Sequence, residues 1–531
     1  MSLAQPETWQ ITKPARTSRG GIVVSQHVLA SKAGAAVLEA GGNAVDAAVA
    51  TAFALGVVEP WMSGIGGIGY LLYAEAKTGK VSVVDFGPQA PRRLDPGRYR
   101  LLDGAPQRPG GFNWPATAGD RHHHGYEAAV IPGSVDGLGL ALERFGTKSL
   151  AEAMAPALTL VERGLPRDWH SMMAISLSAA ELAQDPGAAA TYLPGRLPPV
   201  PPVDDRPGYL ALPALAATYR RLAEAGRRDF YEGELAARIV QDLQDGGSVI
   251  DAADLAGFHA EITEPLRYDY HGVTLNFAGG LTGAPTVIAA LEEIARRIPG
   301  IPLGHPDGEI FVAYAEALSL ARRNRLLALG AEPPQGNTTH LSVVDRDGNM
   351  VALTNTLLDR FGAKVVLPQT GITLNNGINW FDPVPGRPNS LGPGKKPLCN
   401  MCPVIADRDG EPWFALGACG GRRIISAVTQ LSALLIDFSM SLDRAFATPR
   451  LDASGEIVVA DEAMPADALA VLSRFVSIET APNTLYPSRF AVASAVMRSP
   501  GNGLNTGMAH IVSPVAAAVP EGESGYGAPP P

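Results

Sequence analysis

Asn337-Thr338-Thr339-His340-Leu341-Ser342-Val343-Val344-Asp345 and Asn349-Met350-Val351-Ala352-Leu353-Thr354-Asn355-Thr356 are apolar-rich runs joined around Asp347-Gly348. Asp-Gly between two such runs is a strong short-range signal for a β-hairpin. A register symmetric about that dipeptide sets Thr339 opposite Thr356, so Thr338 opens the first strand and Thr356 closes the second beside it. Two threonine hydroxyls meeting at a hairpin's open end suggest a nucleophile and its partner. Taken alone, each is equally an ordinary strand threonine, whose β-branched shape suits a pleated sheet. The rest of the chain decides between the two.

Other motifs fall in order along the sequence. They are Gly41-Gly42-Asn43-Ala44-Val45-Asp46-Ala47-Ala48, Glu59-Pro60 through Ser63-Gly64-Ile65-Gly66-Gly67, Pro132-Gly133, Phe230-Tyr231-Glu232-Gly233, Asp254-Leu255, Leu374-Asn375-Asn376 and Gly420-Gly421. With Thr338-Thr339-His340 they span roughly residues 20 to 515. This ordered set resembles the γ-glutamyltranspeptidase family of N-terminal-nucleophile hydrolases. The resemblance implies an α+β fold, a four-layer αββα sandwich, where periodicity alone says only mixed α/β.

It also implies a precursor that cuts itself at Asn337–Thr338 into fragments 1–337 and 338–531, which stay together as one composite unit. Thr338 is then the nucleophile, with Thr356 bonded to its amine or hydroxyl. The chemistry is sound, because a threonine hydroxyl is a poor nucleophile. An adjacent α-amine, with an ordinary pKa near 8, takes its proton at neutral pH. Gly420 and Gly421 match the pair whose N–H groups face the oxyanion, and glycine lets backbone approach substrate closely. Asn376 is expected to help shape the pocket. The expected substrate is a small-molecule amide, with neither metal nor organic cofactor, and the expected unit is a heterodimer of the two fragments, with further dimerisation left open.

Net charge is −10 at pH 7, with acidic and basic residues mixed along the chain, against the concentrated basic footprint of nucleic-acid binding. With 46% hydrophobic and 18% charged residues the chain can bury a sizeable core. Met1–Trp9 is polar, and no apolar run is long enough to span a bilayer, so the expectation is a cytoplasmic protein with no membrane partner. Three cysteines do not suggest a disulfide framework.

Helical spacing is read over 31–40 and 43–57, split by Gly41-Gly42 with Asn43 as N-cap, and over most of 135–260 and 285–329, the last stopping at Gly330. Tyr70–Tyr73 and Lys80–Asp85 read as strands, Leu197–Pro202 as a stiff surface loop, and the Ala/Gly/Pro-rich tail from Pro514 as disordered. Gly64-Ile65-Gly66-Gly67-Ile68-Gly69 fits a dinucleotide pattern by letter. A helix precedes it and a strand follows, the reverse of the binding order, so it reads as a packing loop. His122-His123-His124 reads as a solvated loop, and Cys399-Asn400-Met401-Cys402 lacks the βαβ setting of a redox pair.

The departures from the family pattern bear on substrate. Active γ-glutamyl enzymes hold the donor's α-carboxylate and α-amine with polar side chains, and here those positions align with Gly87, Leu358, Gly377, Trp380, Cys399 and Asn400. Glycine does not mimic a bidentate arginine, and a buried ammonium without an acid is costly. Arg422, Arg360 and Lys364 are candidates to receive a substrate carboxylate from a new direction. The expectation is an amide-cleaving enzyme that does not prefer γ-glutamyl donors. The alternatives are a γ-glutamyltransferase or glutathione hydrolase with a rearranged clamp, and a non-catalytic binding protein on the same fold.

Overall fold

The strand Asn337–Val344 pairs antiparallel with Met350–Leu358 on one side and Ile22–Ser25 on the other. It thereby lies inside a seven-stranded sheet, in the order Ala517–Pro520, Ile22–Ser25, Asn337–Val344, Met350–Leu358, Ile68–Glu75, Lys80–Phe86 and Glu261–Thr263. A second seven-stranded sheet runs Arg16–Ser18, Asn505–Ala509, Val492–Arg498, Glu411–Cys419, Val404–Arg408, Val273–Phe277 and Leu266–Tyr270. This computed structural model describes residues 11–102, 114–204, 207–300, 304–330, 336–486, 488–499 and 501–525.

Alternation along each strand sorts its side chains between two cores. Ile22 and Val24 join Tyr70, Leu72, Ile405, Ala415 and Val496 in the layer between the sheets. Val23, Leu71, Leu341, Val343 and Leu353 face the other way, against the helices Val28–Glu39, Ala44–Val58 and Ser134–Phe145. Leu275, Phe277 and Leu416 of the second sheet pack on Ala284–Arg297, Gly308–Leu329 and Arg423–Asp437. The result is the four-layer αββα sandwich.

The hairpin register differs by one residue from the expected one. Val344 pairs with Met350 and Thr339 with Asn355, not Thr356. The turn is centred on Asp347 because the Asp345 carboxylate accepts the N–H groups of Asp347 and Asn349, each at 3.0 Å. Gly348 supplies the positive φ of +91° that closes it. The tail also departs from expectation. Ala517–Pro520 is an edge strand on Ile22–Ser25, and Lys13 Nζ holds the carbonyls of His510, Ser513 and Ala516 beside it. A strand edge offers unpaired backbone groups, and pairing satisfies them better than water-exposed coil. Residues 526–531 of that tail, and Met1–Trp9, lie outside the described residues.

The helix Ala44–Val58 delivers Glu59 to the centre of the molecule, and its N-terminus is anchored by Asp46. Asn43 and Asp46 form a capping box. The buried Asp46 carboxylate also accepts the N–H of Thr147 at 2.9 Å, its hydroxyl at 2.6 Å and the N–H of Lys148 at 3.0 Å. Removing it orphans these donors at about 1–3 kcal/mol each. Asp46→Ala should therefore lower the thermal unfolding midpoint markedly, with Asp46→Asn intermediate because one oxygen still accepts; differential scanning calorimetry checks the order.

Candidate active site

The peptide between Asn337 and Thr338 sits where the ladder slips. Asn337 pairs with Leu358, Thr339 with Asn355, and the register shifts between them. Such a bulge takes a peptide out of regular pairing and re-aims it. The Asn337 carbonyl accepts the Thr356 hydroxyl at 2.6 Å, and the Thr356 hydroxyl oxygen in turn accepts the Leu358 N–H at 2.8 Å. In this uncut chain Thr356 thus engages the carbonyl of Asn337, where the expectation was Thr338 itself. Thr338 is 3% exposed and Thr356 fully buried.

Thr356 is fixed from behind. Its N–H donates to Asn355 Oδ1 at 2.9 Å, and that oxygen also accepts the Ser134 hydroxyl at 2.8 Å. Gly133 and Ser134 donate their N–H groups to the Gly67 carbonyl, and Tyr231 donates its hydroxyl to Pro132. Gly67 has room for no side chain, since a Cβ there would lie 2.7 Å from the Thr356 carbonyl. The Gly64–Gly69 loop therefore packs backbone on backbone beside the threonine strand.

A cavity of about 100 Å³ opens at Gly336 and Asn337. Gly420 and Cys419 form part of its wall, where Glu411–Cys419 turns into the helix Arg423–Asp437. Gly420 and Gly421 have φ of +132° and +62°, conformations that L side chains rarely adopt. Gly421 also lies against Gly336, at 3.6 Å from where a Cβ there would stand. The glycine turn and the Asn337–Thr338 peptide thus meet at one end of the cavity.

Glu59, Arg360, Arg423 and His170 bring ionisable groups to the same wall. Arg423 is positioned by the carbonyls of Gly420 and Ser488. Burial lowers Arg423 and Arg360 from the usual guanidinium range, and lowers His170. Burial pushes the Glu59 carboxyl up to about 8, opposed by the hydrogen bond from the Thr339 hydroxyl. Of these groups the sequence had pointed only to Arg360 as an acceptor of charge.

Several expected pocket residues lie elsewhere. Arg422 lines a separate depression with Arg322, Arg325 and Thr286, because one step along a helix start turns a side chain by about 100°. Cys399 and Asn400 are buried about Arg325, which donates to the Cys399 carbonyl at 2.7 Å and to Asn400 Oδ1 at 3.1 Å. Trp380 is in the layer between the sheets, and Leu358, with φ +80°, packs on Gly336. Asn376 donates to Asp359 and to the His123 carbonyl, and accepts the Asp359 N–H. Gly87 has no room for a side chain, because Tyr70 Oη stands where a Cβ would go. Lys364 is buried and donates to the Gly362 carbonyl at 2.9 Å.

The histidine run is not a solvated loop. His122 is buried against Tyr99 and Trp114, with Nε2 2.9 Å from the Phe381 carbonyl. His123 pairs with Asp359 at 2.7 Å and Asp120 at 3.5 Å. Among the described residues no group of three or more His, Cys, Asp or Glu is arranged to hold a metal ion. Cys399, Cys402 and Cys419 are free, buried thiols, and burial pushes Cys399 up to about 11. No helix of the described residues is long and apolar enough to cross a membrane.

Burial alone would raise Asp359, but the His123 hydrogen bond and charge outweigh it and take the carboxyl down to about 2. Burial likewise opposes the charged form of His123, and the two carboxylates overcome it to raise that imidazole. A depressed Asp stabilises above its unfolded pKa of about 3.9, and a raised His stabilises below its unfolded pKa of about 6.5. The stability difference between wild type and His123→Gln should be largest between those values. It should shrink as pH falls toward 2 or rises past His123's folded pKa, as chemical unfolding across pH will show.

The model of the family described as Gamma-glutamyltranspeptidase matches residues 30–331 and 314–518. An acylase ACY 1 proenzyme from Pseudomonas sp. (strain V22) is 34% identical over 495 residues, covering 85% of this chain and 86% of that protein. A glutathione hydrolase proenzyme from Bacillus subtilis (strain 168) is 30% identical over 503 residues, covering 84% and 83%. Among solved structures, the cephalosporin acylase from Bacillus halodurans superposes with a TM-score of 0.82 at 24% identity, over 98% of this chain and 99% of that one, a likeness of fold.

Proposed function

This chain belongs to the gamma-glutamyltranspeptidase family of N-terminal-nucleophile hydrolases and transferases, and we propose that it cuts itself at Asn337–Thr338 and then uses Thr338 on an acyl donor other than a γ-glutamyl compound. The observation that carries the first half is the Thr356 hydroxyl on the Asn337 carbonyl, at a register shift, beside the glycine turn. Thr338 Oγ1 attacks the Asn337 carbonyl carbon, and Thr356 stabilises the charge that grows on its oxygen. The hydroxyl proton passes to the amide nitrogen as the C–N bond breaks, leaving an ester. Water then cleaves the ester, giving fragments 1–337 and 338–531, with a carboxylate on Asn337 and an α-amine on Thr338.

In the mature enzyme that amine takes the Thr338 hydroxyl proton, the oxygen attacks the substrate amide, and the N–H groups of Gly420 and Gly421 face the oxyanion. The amine of the substrate leaves with the proton, and water or a second amine releases the acyl group. Trp61, Met173, Leu177 and Tyr486 line the cavity with a largely apolar wall, and Arg360 and Arg423 give it positive charge. Among the described residues its one carboxyl is Glu59, already bonded to Thr339. A γ-glutamyl donor brings an ammonium to a wall whose charges repel it. A des-amino acyl group with a terminal carboxylate suits that wall better.

The name of the Bacillus relative favours the alternative reading as a glutathione hydrolase. The two are separated by comparing γ-glutamyl and glutaryl anilides, which differ only in the ammonium. The glutaryl compound should show kcat/KM higher by about tenfold or more, worth about 1.4 kcal/mol; the reverse order supports the glutathione hydrolase. Intact mass should show two fragments for wild type and one uncut chain for Thr338→Ala. Thr356→Val should slow self-cleavage by about 10²- to 10³-fold, the effect of losing one oxyanion donor. Correct cutting with no turnover of any amide would instead indicate a binding protein.

A further inference from the structure

Among the described residues Glu59 is the one carboxyl on the cavity wall, and neither self-cleavage nor acyl transfer as written above uses it. It follows the helix Ala44–Val58 and is 3% exposed. Its Oε2 accepts the Thr339 hydroxyl, and its side chain lines the cavity together with Asn337 and Gly420. The nitrogen that self-cleavage frees belongs to Thr338, one residue before the hydroxyl that Glu59 holds. We propose that Glu59 is the counter-charge for the new α-ammonium of Thr338, a positioning residue that is neutral in the precursor and ionised in the mature enzyme.

The charge balance favours this change of state. Before cleavage the wall holds Arg360 and Arg423, His170, the Cys419 thiol and the Tyr486 phenol. Burial lowers the pKa of His170, favouring its neutral form, and pushes Cys419 up to about 12, so both are neutral near pH 7. Desolvation keeps the Glu59 carboxyl at about 8, so it too is mostly protonated. Neither arginine is bonded to it; Arg423 is turned to the Gly420 and Ser488 carbonyls. A new ammonium beside an uncharged carboxyl of similar proton affinity, since an α-amine titrates near 8, pulls the carboxyl into its charged form. The proton leaves Glu59 for solvent, and the pair then fixes the direction in which the amine's lone pair faces its own hydroxyl. An acid already paired with Thr338 is also unavailable to a substrate ammonium, which links Glu59 to the choice of donor.

The sign of the effect is testable. The amine acts as base only when neutral, so activity rises with pH through its pKa. A carboxylate beside it favours the ammonium and holds that pKa up. Glu59→Gln removes the charge at constant shape, so the acid limb of the kcat/KM profile should move to lower pH by about one unit or more, the usual effect of one opposite charge at close range. Thr339→Val keeps the carboxyl but removes the hydroxyl donor that favours its charged form, and should move the limb the same way by less.

The inference rests on the proposed function, and the experiment separates their failures. Intact mass is measured first, then pH profiles of the cut wild type, Glu59→Gln and Thr339→Val on the same anilide. An uncut wild type overturns the self-cleavage reading and the inference together. A cut wild type whose limb is unmoved in the variants, even with lowered kcat, overturns the inference alone and leaves Glu59 as packing. If Glu59→Gln does not mature, Thr339→Val decides by the same criterion.

Discussion

At Asn337 a backbone carbonyl takes its hydrogen bond from a side chain, the Thr356 hydroxyl, at the point where the two central strands fall out of step. Regular pairing would align Thr338 with a partner residue and hold its amide in the ladder. The shift between Asn337 and Thr339 presents the carbonyl to a hydroxyl instead, in a buried setting where such a bond is stronger than in water. The neighbouring elements serve to hold that geometry. Asn355 ties Thr356 to Ser134, Ser134 is set by Gly67, and Gly67 is pressed against the Thr356 carbonyl. Motifs far apart in sequence meet because each satisfies a polar group that the sandwich buries.

The layer between the sheets follows the same rule. His340 points into it, with Nδ1 2.9 Å from Thr354 and Nε2 3.0 Å from Ser342, and burial lowers it to about 3. Gly417 in the opposite sheet leaves the space its ring fills. Asn375 donates to the Gly66 and Val130 carbonyls and accepts from Val130 and Gly377. The His340 ring against Gly417, with the Ser494 hydroxyl donating to the His340 carbonyl at 3.3 Å, ties one sheet to the other.

Much of this was legible in the sequence because local chemistry and tertiary role agree. The Asn43 cap, the Gly330 stop, the helix–glycine loop–strand order at Gly64–Gly69 and the hairpin itself each follow from backbone preference. The one-residue error in register arose because Asp345 closes the turn with its side chain, which a two-residue Asp-Gly reading ignores. The buried histidine run and the ordered tail were missed for a common reason: their partners, Asp359 and Phe381 in one case and Ile22–Ser25 in the other, are hundreds of residues away. Nothing in Gly420-Gly421-Arg422-Arg423 tells which arginine faces the cavity, since that depends on where the helix starts.

The positions that the family resemblance matches to a zwitterion clamp are here part of the interior. Trp380 fills the middle layer, Cys399 and Asn400 wrap Arg325, and Tyr70 closes the space at Gly87. Such residues are not idle versions of a clamp, because each now satisfies a packing or hydrogen-bond demand that a polar substitution would break. The charges that face Asn337 come from other elements: Arg360 just after the Thr356 strand, Arg423 at the helix beyond the glycine turn, and Glu59 at the end of the helix begun by Asn43. Among the described residues that wall carries two arginines and one acid, Glu59, which is bonded to Thr339.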